Sequence, residues 1–96
     1  MSSEPAISIV HNRADHRFET RIEGALAVCD YDRRDSAVVF THTFVPPELR
    51  GRGIAEQLVR AGLRYARDEK LKVVPACSYV GAFIQRHAEF QDLVKA

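Results

Sequence analysis

The hydrophobic period of this 96-residue chain switches once, at Pro46-Pro47, and that switch decides most of what the chain can fold into. Before the prolines, apolar residues recur at every second position. Ile7 and Ile9, with His11, share one face of a first strand. Phe18, Thr20 and Ile22 alternate with Arg17, Glu19 and Arg21 in a second. Glu23-Gly24 is a turn signal. A third strand runs from about Ala25 to Tyr31, with Ala27, Cys29 and Tyr31 on one face and Leu26 and Val28 on the other. Asp32 to Ser36 reads as a polar hairpin connection. Ala37 to Val45 is a fourth, more apolar strand, with Val38, Phe40, His42 and Phe44 along one face. Connections this short imply an antiparallel meander.

Proline has no N–H to give to a ladder, so the prolines close the fourth strand. Beyond them Ile54, Leu58, Ala61 and Tyr65, flanked by Ala55, Val59, Gly62, Leu63 and Ala66, form an apolar arc at helical spacing, with Glu56, Arg60, Arg64, Arg67 and Asp68 opposite. The pattern predicts a helix from about Gly53 to Lys70 lying on the sheet. Lys72 to Pro75 is a short strand, a second helix starts near Ser78 and runs through Phe83 and Arg86, and Asp92-Leu93-Val94 offers a short edge element. The expected class is α+β: a twisted, mostly antiparallel sheet with a central helix packed on it and a β-α-β-α C-terminal half. The strand at Val73 should run parallel to the fourth, because a helix joins them as a crossover. A single domain over residues 6–96 suits this length, with residues 1–5 as a loose tail.

Fourteen Lys and Arg stand against 13 Asp and Glu, so no global field draws the chain to nucleic acid or to an acidic membrane. No basic leader with a long apolar run opens the chain, and no run approaches the ~20 apolar residues of a membrane span. The expectation is a cytoplasmic protein, a monomer or weak dimer, with Cys29 and Cys77 as reduced thiols. His11, His16 and His87 have no metal-ligand spacing with either cysteine, so no metal is expected. The charge is sorted along the chain, however. Residues 50–72 hold seven basic and three acidic side chains, and the remainder is net negative. Arg60, Arg64 and Arg67 form a stripe that reads as a solvated helix face, without the interleaved aromatics of a nucleic-acid stacking platform.

The chemistry is concentrated in Phe44-Val45-Pro46-Pro47-Glu48-Leu49-Arg50-Gly51-Arg52-Gly53-Ile54-Ala55, where a strand ends, a glycine-rich loop follows and a helix begins. That order gathers free backbone N–H groups at one point with the positive end of a helix. Gly51 and Gly53 let a ligand approach the backbone, and Arg50 and Arg52 add charge, so the loop suits a phosphate or pyrophosphate. It is neither a P-loop nor a dinucleotide-binding fingerprint, since G-x-x-x-x-G-K-[ST] and G-x-G-x-x-G are both absent.

Arg50, Gly53 and Ala55 stand at the marked places of the [QR]-x-x-G-x-[GA] signature, and the chain resembles the GCN5-related N-acetyltransferases over most of its length. The likeness is strongest to the compact YjdJ-type branch, through His42 to Pro46, Arg50 to Ala55 and Val74 to Val80. The resemblance implies that Phe44, Val45, Arg50, Gly51, Arg52, Gly53, Ile54 and Ala55 bind acetyl-coenzyme A, with its pyrophosphate at the loop. It implies further that the fourth and fifth strands splay near Phe44-Val45 and admit the pantetheine arm as a pseudo-strand, and that the reaction is acetyl transfer to a primary amine on a small molecule, peptide or protein. The paired helices that help larger relatives bind the acceptor are missing here. Their absence keeps a second expectation open, a non-enzymatic acyl-coenzyme A binding or sensing module.

Three residues are candidates for the chemistry. Cys77, between a strand and a helix start, gains thiolate character from the helix end and serves as acyl acceptor or base, or packs as a small hydrophobe. His42 is a candidate base near the strand end, or a structural residue between Phe40 and Phe44. Tyr79 can protonate a leaving thiolate, or fill the core. Cys29, mid-strand, reads as structural.

Overall fold

A computed structural model describes residues 7–94. The expected tail at residues 1–5 lies outside the described residues. Five strands follow chain order across one sheet: β1 (Val10–Asn12), β2 (Arg17–Ile22), β3 (Ala25–Arg34), β4 (Ala37–Phe44) and β5 (Lys72–Pro75). The first four pair antiparallel and β5 runs parallel to β4. Between β4 and β5 come a 3-10 turn at Pro47–Leu49 and helix α1 (Ile54–Asp68); helix α2 (Ser78–Arg86) and a 3-10 segment at Ala88–Leu93 follow β5. This is the α+β arrangement the change of period implies.

α1 covers one face of the sheet. A Cβ on Gly62 would stand 2.7 Å from the Phe40 ring and 3.5 Å from that of Phe18, so the helix backbone rests almost directly on these two aromatics. Ile54, Leu58, Val59, Leu63 and Ala66 complete its buried side. They meet Ala27, Cys29, Tyr31 and Val38 from the sheet and Val80 and Phe83 from α2. Each large aliphatic side chain buried in this way contributes about 1.5–3 kcal/mol.

Several sequence expectations need correction. β1 is only three residues long and leaves out Ile7 and Ile9, which still pack on the core while the Ser8 carbonyl between them accepts the Thr20 hydroxyl at 2.8 Å. β3 continues to Arg34, and the hairpin closes through Asp35-Ser36 alone; Asp35 takes a left-handed conformation (φ 52°), which Asp tolerates better than most residues. At the C-terminal end Val94 makes one parallel bridge to Val73, after a 3-10 segment and not a strand. Lastly, Arg60 and Arg67 are not a free solvated stripe. They reach Glu89 at 3.4 Å and Asp92 at 3.0 Å, and their guanidinium groups lie over the rings of Phe83 and Phe90, clamping the C-terminal segment to α1.

One irregularity matters most for function. Tyr31 pairs with Phe40 but Asp30 pairs with His42, so Thr41 is an extra residue on β4, a β-bulge. Alternation would have kept His42 and Phe44 on the face of Phe40. The bulge reverses them. His42 now sits opposite Asp30 and Phe44 opposite Val28, on the face away from α1, while Thr43 sits opposite the buried Cys29 on the helix side. The expected face for His42 is therefore overturned.

Candidate functional site

β4 and β5 are paired only over Ala37↔Lys72 to Phe40↔Pro75. The last bond across the seam is Cys77 N–H to the Phe40 carbonyl at 2.8 Å. Past it the chains part, because Ala76-Cys77 turns away into α2 while β4 continues to Phe44 with only β3 beside it. The splay begins after Phe40, earlier than the expected Phe44-Val45. Among the described residues, no strand pairs with the edge of β4 that faces the gap over Thr41–Phe44.

The N-terminal end of α1 lies at the mouth of this gap. Gly51 (φ 85°) and Gly53 (φ 74°) both take left-handed backbone conformations, and an added Cβ at either would meet nothing within 4 Å. Gly53 caps the helix without any side-chain bond to the first-turn N–H groups, which stay available to a ligand. Arg50 Nε donates to the Val45 carbonyl at 2.9 Å, tying the loop back to the strand end, and its guanidinium lies 6.0 Å from the centre of the Phe44 ring.

A cleft of about 220 Å³ opens there, lined by Val45, Leu49, Arg50, Gly51, Gly53, Ile54, Ala55, Glu56 and Tyr79. Six of the eight residues expected to bind the cofactor line it; Phe44 and Arg52 do not. Phe44 is 43% exposed on the open face of the sheet, and Arg52 points to Glu23 of the β2–β3 turn at 3.8 Å. Leu49 and Glu56 were not singled out from the sequence. Glu56 had a usable signal, its place in the first turn after the glycines; Leu49 reads as any buried residue.

The three candidates for the chemistry separate spatially. Tyr79 lines the cleft; its phenol is raised above the ordinary value chiefly by burial, with Glu56 adding to the rise and Arg86 opposing it, so it keeps its proton. Cys77, half-buried at the start of α2, faces the Thr43 hydroxyl at 3.5 Å. Burial pushes the Cys77 thiol up. The Thr43 hydroxyl and backbone bonds at Val80, Tyr79 and Thr43 outweigh that push and leave it below its ordinary value. Cys29 is its opposite: fully buried and pushed up to about 12, mainly by desolvation. His42 is exposed, stacked at 11° on Phe44 with ring centres 6.5 Å apart, on the face opposite Thr43. The structure thus brings Cys77 and Thr43 together at the gap and leaves His42 across the sheet from them. Thr43 carried no signal in the sequence, because only the bulge turns it inward. Among the described residues, no three His, Cys, Asp or Glu side chains gather closely enough to hold a metal ion, and no helix is long and apolar enough to cross a membrane.

Comparison with known proteins gives consistent matches. The family model for GCN5-related N-acetyl-transferase matches residues 17–93. Protein NATD1 of Xenopus tropicalis is 30% identical over 91 residues, covering 91% of this chain and 83% of the relative. Protein NATD1 of Homo sapiens is 33% identical over 84 residues, covering 84% and 74%. Among solved structures, the NMR structure of a GCN5-like protein from Staphylococcus aureus superimposes with a TM-score of 0.74 at 26% identity, covering 94% of this chain and 89% of that one.

Proposed function

Because the chain belongs to the GCN5-related N-acetyltransferase family, and is an N-acetyltransferase by that membership, we propose that it moves an acetyl group from acetyl-coenzyme A to a primary amine at the splay between β4 and β5. One observation supports this reading above the others: the Arg50–Ala55 loop, with both glycines left-handed and open, delivers the N-terminus of α1 to a cleft beside the part of β4 that pairs with β3 but not with β5.

The residues suit that substrate group by group. The free N–H groups of the first turn of α1, with Gly51 and Arg50, present donors and positive charge to a pyrophosphate. Backbone groups of Thr41–Phe44 that have no strand partner offer ladder-like bonds to the amides of a pantetheine arm lying in the gap. At the inner end, N–H groups near the bulge polarise the thioester carbonyl as its oxygen gains charge. The amine nitrogen bonds to the carbonyl carbon, the carbon–sulfur bond breaks, and the departing thiolate takes a proton from the Tyr79 phenol, which lines the cleft. His42 stands as the base for an amine arriving from the open face. Cys77 supports a two-step variant in which its thiolate first accepts the acetyl group and the amine then removes it.

The test is release of free coenzyme A thiol from acetyl-coenzyme A in the presence of peptides, polyamines and amino sugars, beside a control without acceptor. Release that depends on an added amine, and rises with pH as the amine loses its proton, supports the transferase. Tight cofactor binding with no amine-dependent release across the panel would instead favour a binding or sensing module. Cys77→Ala then chooses the route. A fall in turnover of about a hundredfold, ~2.7 kcal/mol of transition-state stabilisation, marks the acyl-cysteine route; a change under about threefold marks direct attack.

A further inference from the structure

We propose that Thr43 is a positioning residue whose hydroxyl sets the ionisation of the Cys77 sulfur across the gap between β4 and β5. This deepens the reading above, since it gives Cys77 a controlled charge state at the same site. Thr43 is there only because of the bulge. Without the extra residue at Thr41 its side chain would point to the open face; with it, Thr43 stands opposite Cys29 on the helix-covered face. Its hydroxyl oxygen is then 3.5 Å from Cys77 Sγ and 3.8 Å from Cys29 Sγ, between two sulfurs on different elements. Backbone pairing between β4 and β5 has already ended, so this hydroxyl–thiol contact is a polar link across a seam that has lost its ladder.

A hydroxyl has one hydrogen to give, and the geometry offers it two acceptors. With Cys77 protonated, the thiol donates to the Thr43 oxygen and the hydroxyl donates to Cys29. With Cys77 ionised, the hydroxyl turns and donates to the thiolate, a charge-assisted bond about twice as strong as a neutral one. Cys29 does not compete as an anion, since burial keeps its proton on through the neutral range. The remaining titratable groups around Cys77 are few. Tyr79 follows on α2 and stays protonated; Glu56 of α1 acts on Tyr79; the other stabilising groups are backbone N–H groups of α2 and β4. The hydroxyl is therefore the side-chain group that most favours the thiolate.

The test reads the ionisation of Cys77 from the pH dependence of its alkylation by iodoacetamide, with the modified residue identified by mass spectrometry. It needs neither acetyl-coenzyme A nor an acceptor. Thr43→Val, similar in shape but without the hydroxyl, should shift the midpoint upward by about one pH unit, a tenfold change in the ionisation constant. Thr43→Ser should bring it back to within about 0.3 of a unit, which a merely structural role would not do. Thr43→Ala, measured with the same check of fold by circular dichroism, replaces Val if that variant does not fold. A midpoint unmoved in Thr43→Val or Thr43→Ala overturns the proposal, as does a shift that Thr43→Ser fails to reverse. The reading of the site fails separately: if acetyl-coenzyme A neither binds nor slows Cys77 alkylation, the cofactor assignment falls while a shift in Thr43→Val still upholds the role of the hydroxyl.

Discussion

The two halves of β4 form one continuous strand and end in opposite environments, Ala37-Val38-Val39-Phe40 wholly apolar and Thr41-His42-Thr43 polar up to Phe44. Ala37 to Phe40 lies between β3 and β5, and three of its four residues are buried. Thr41 to Phe44 pairs only with β3, and three of its four are exposed. Two local events separate them, one extra residue at Thr41 and the departure of β5 into α2. The far end of the molecule follows the first half. There His11 bonds the Tyr31 hydroxyl at 2.7 Å and stacks on Phe18 at 4.1 Å, and Tyr65 closes the cluster from α1, so aromatic packing completes what the ladder starts. The lesson is that a core and a site can be made from one strand by withdrawing its neighbour.

The strongest way to break the comparison is to hollow out the closed half. Phe40 is fully buried against Gly62, and Phe40→Ala should cost about 3–5 kcal/mol in urea or guanidinium denaturation. A loss under about 1 kcal/mol would mean that the closed half does not carry the stability assigned to it.

At the open end, the next largest effect falls on binding and not on folding. Gly53→Asp puts a carboxylate at the loop proposed to hold the pyrophosphate. Calorimetry should show coenzyme A affinity falling at least a hundredfold, about 2.7 kcal/mol. The fold should lose only about 1–2 kcal/mol, for a left-handed non-glycine residue whose Cβ has open space around it. Equal affinities in wild type and variant would remove the loop from the site.

The two cysteines sharpen the contrast through pH. Cys29 is pushed up to about 12 by burial in the closed interior. A thiol whose value is raised by folding contributes stability below its unfolded value, near 8.5–9, and loses that contribution as pH rises toward the folded one. Between pH 9 and 12 the stability of the wild type should therefore fall more steeply than that of Cys29→Ala, by about 1.4 kcal/mol per pH unit. Cys77 has the opposite sign. Its folded value lies below the ordinary one, so its contribution is present at high pH and fades as pH falls through the folded value. Cys77 should also alkylate faster than Cys29 at neutral pH, and coenzyme A should slow that reaction. Parallel stability slopes for wild type and Cys29→Ala, or equal alkylation of both thiols, would erase the distinction.

The smallest effect completes the pair begun with Phe40. Phe44→Ala, at an exposed ring four residues along the same strand, should change stability by less than about 1 kcal/mol.

Much of this was legible in the sequence. The period switch at Pro46-Pro47 gave the meander, the covering helix and the crossover to Val73, because burial of one face leaves its rhythm in the residues. The glycines at 51 and 53 announced a loop that only they could form beside a helix start. The bulge left no such trace. Thr41 is an ordinary strand residue with no glycine to mark the irregularity, so strict alternation sets His42 on the face of Phe40 and Thr43 on the other. The point of splay was equally hidden, since it depends on where β5 turns away and not on any residue of β4. The clamps at Arg60 and Arg67 were missed because a charge on a helix face looks the same whether solvent or a returning segment of chain meets it.

Titration of isotope-labelled protein with acetyl-coenzyme A, followed residue by residue in amide NMR spectra, tests most directly whether the open half of β4 and the α1 loop are one site. The expected result is a continuous set of shifted signals at Gly51 to Ala55, Thr41 to Val45 and Cys77 to Tyr79, with Ala37 to Phe40 and the β1–β2 pair nearly still. Shifts centred on the closed end, or no shifts at millimolar acetyl-coenzyme A, would contradict it.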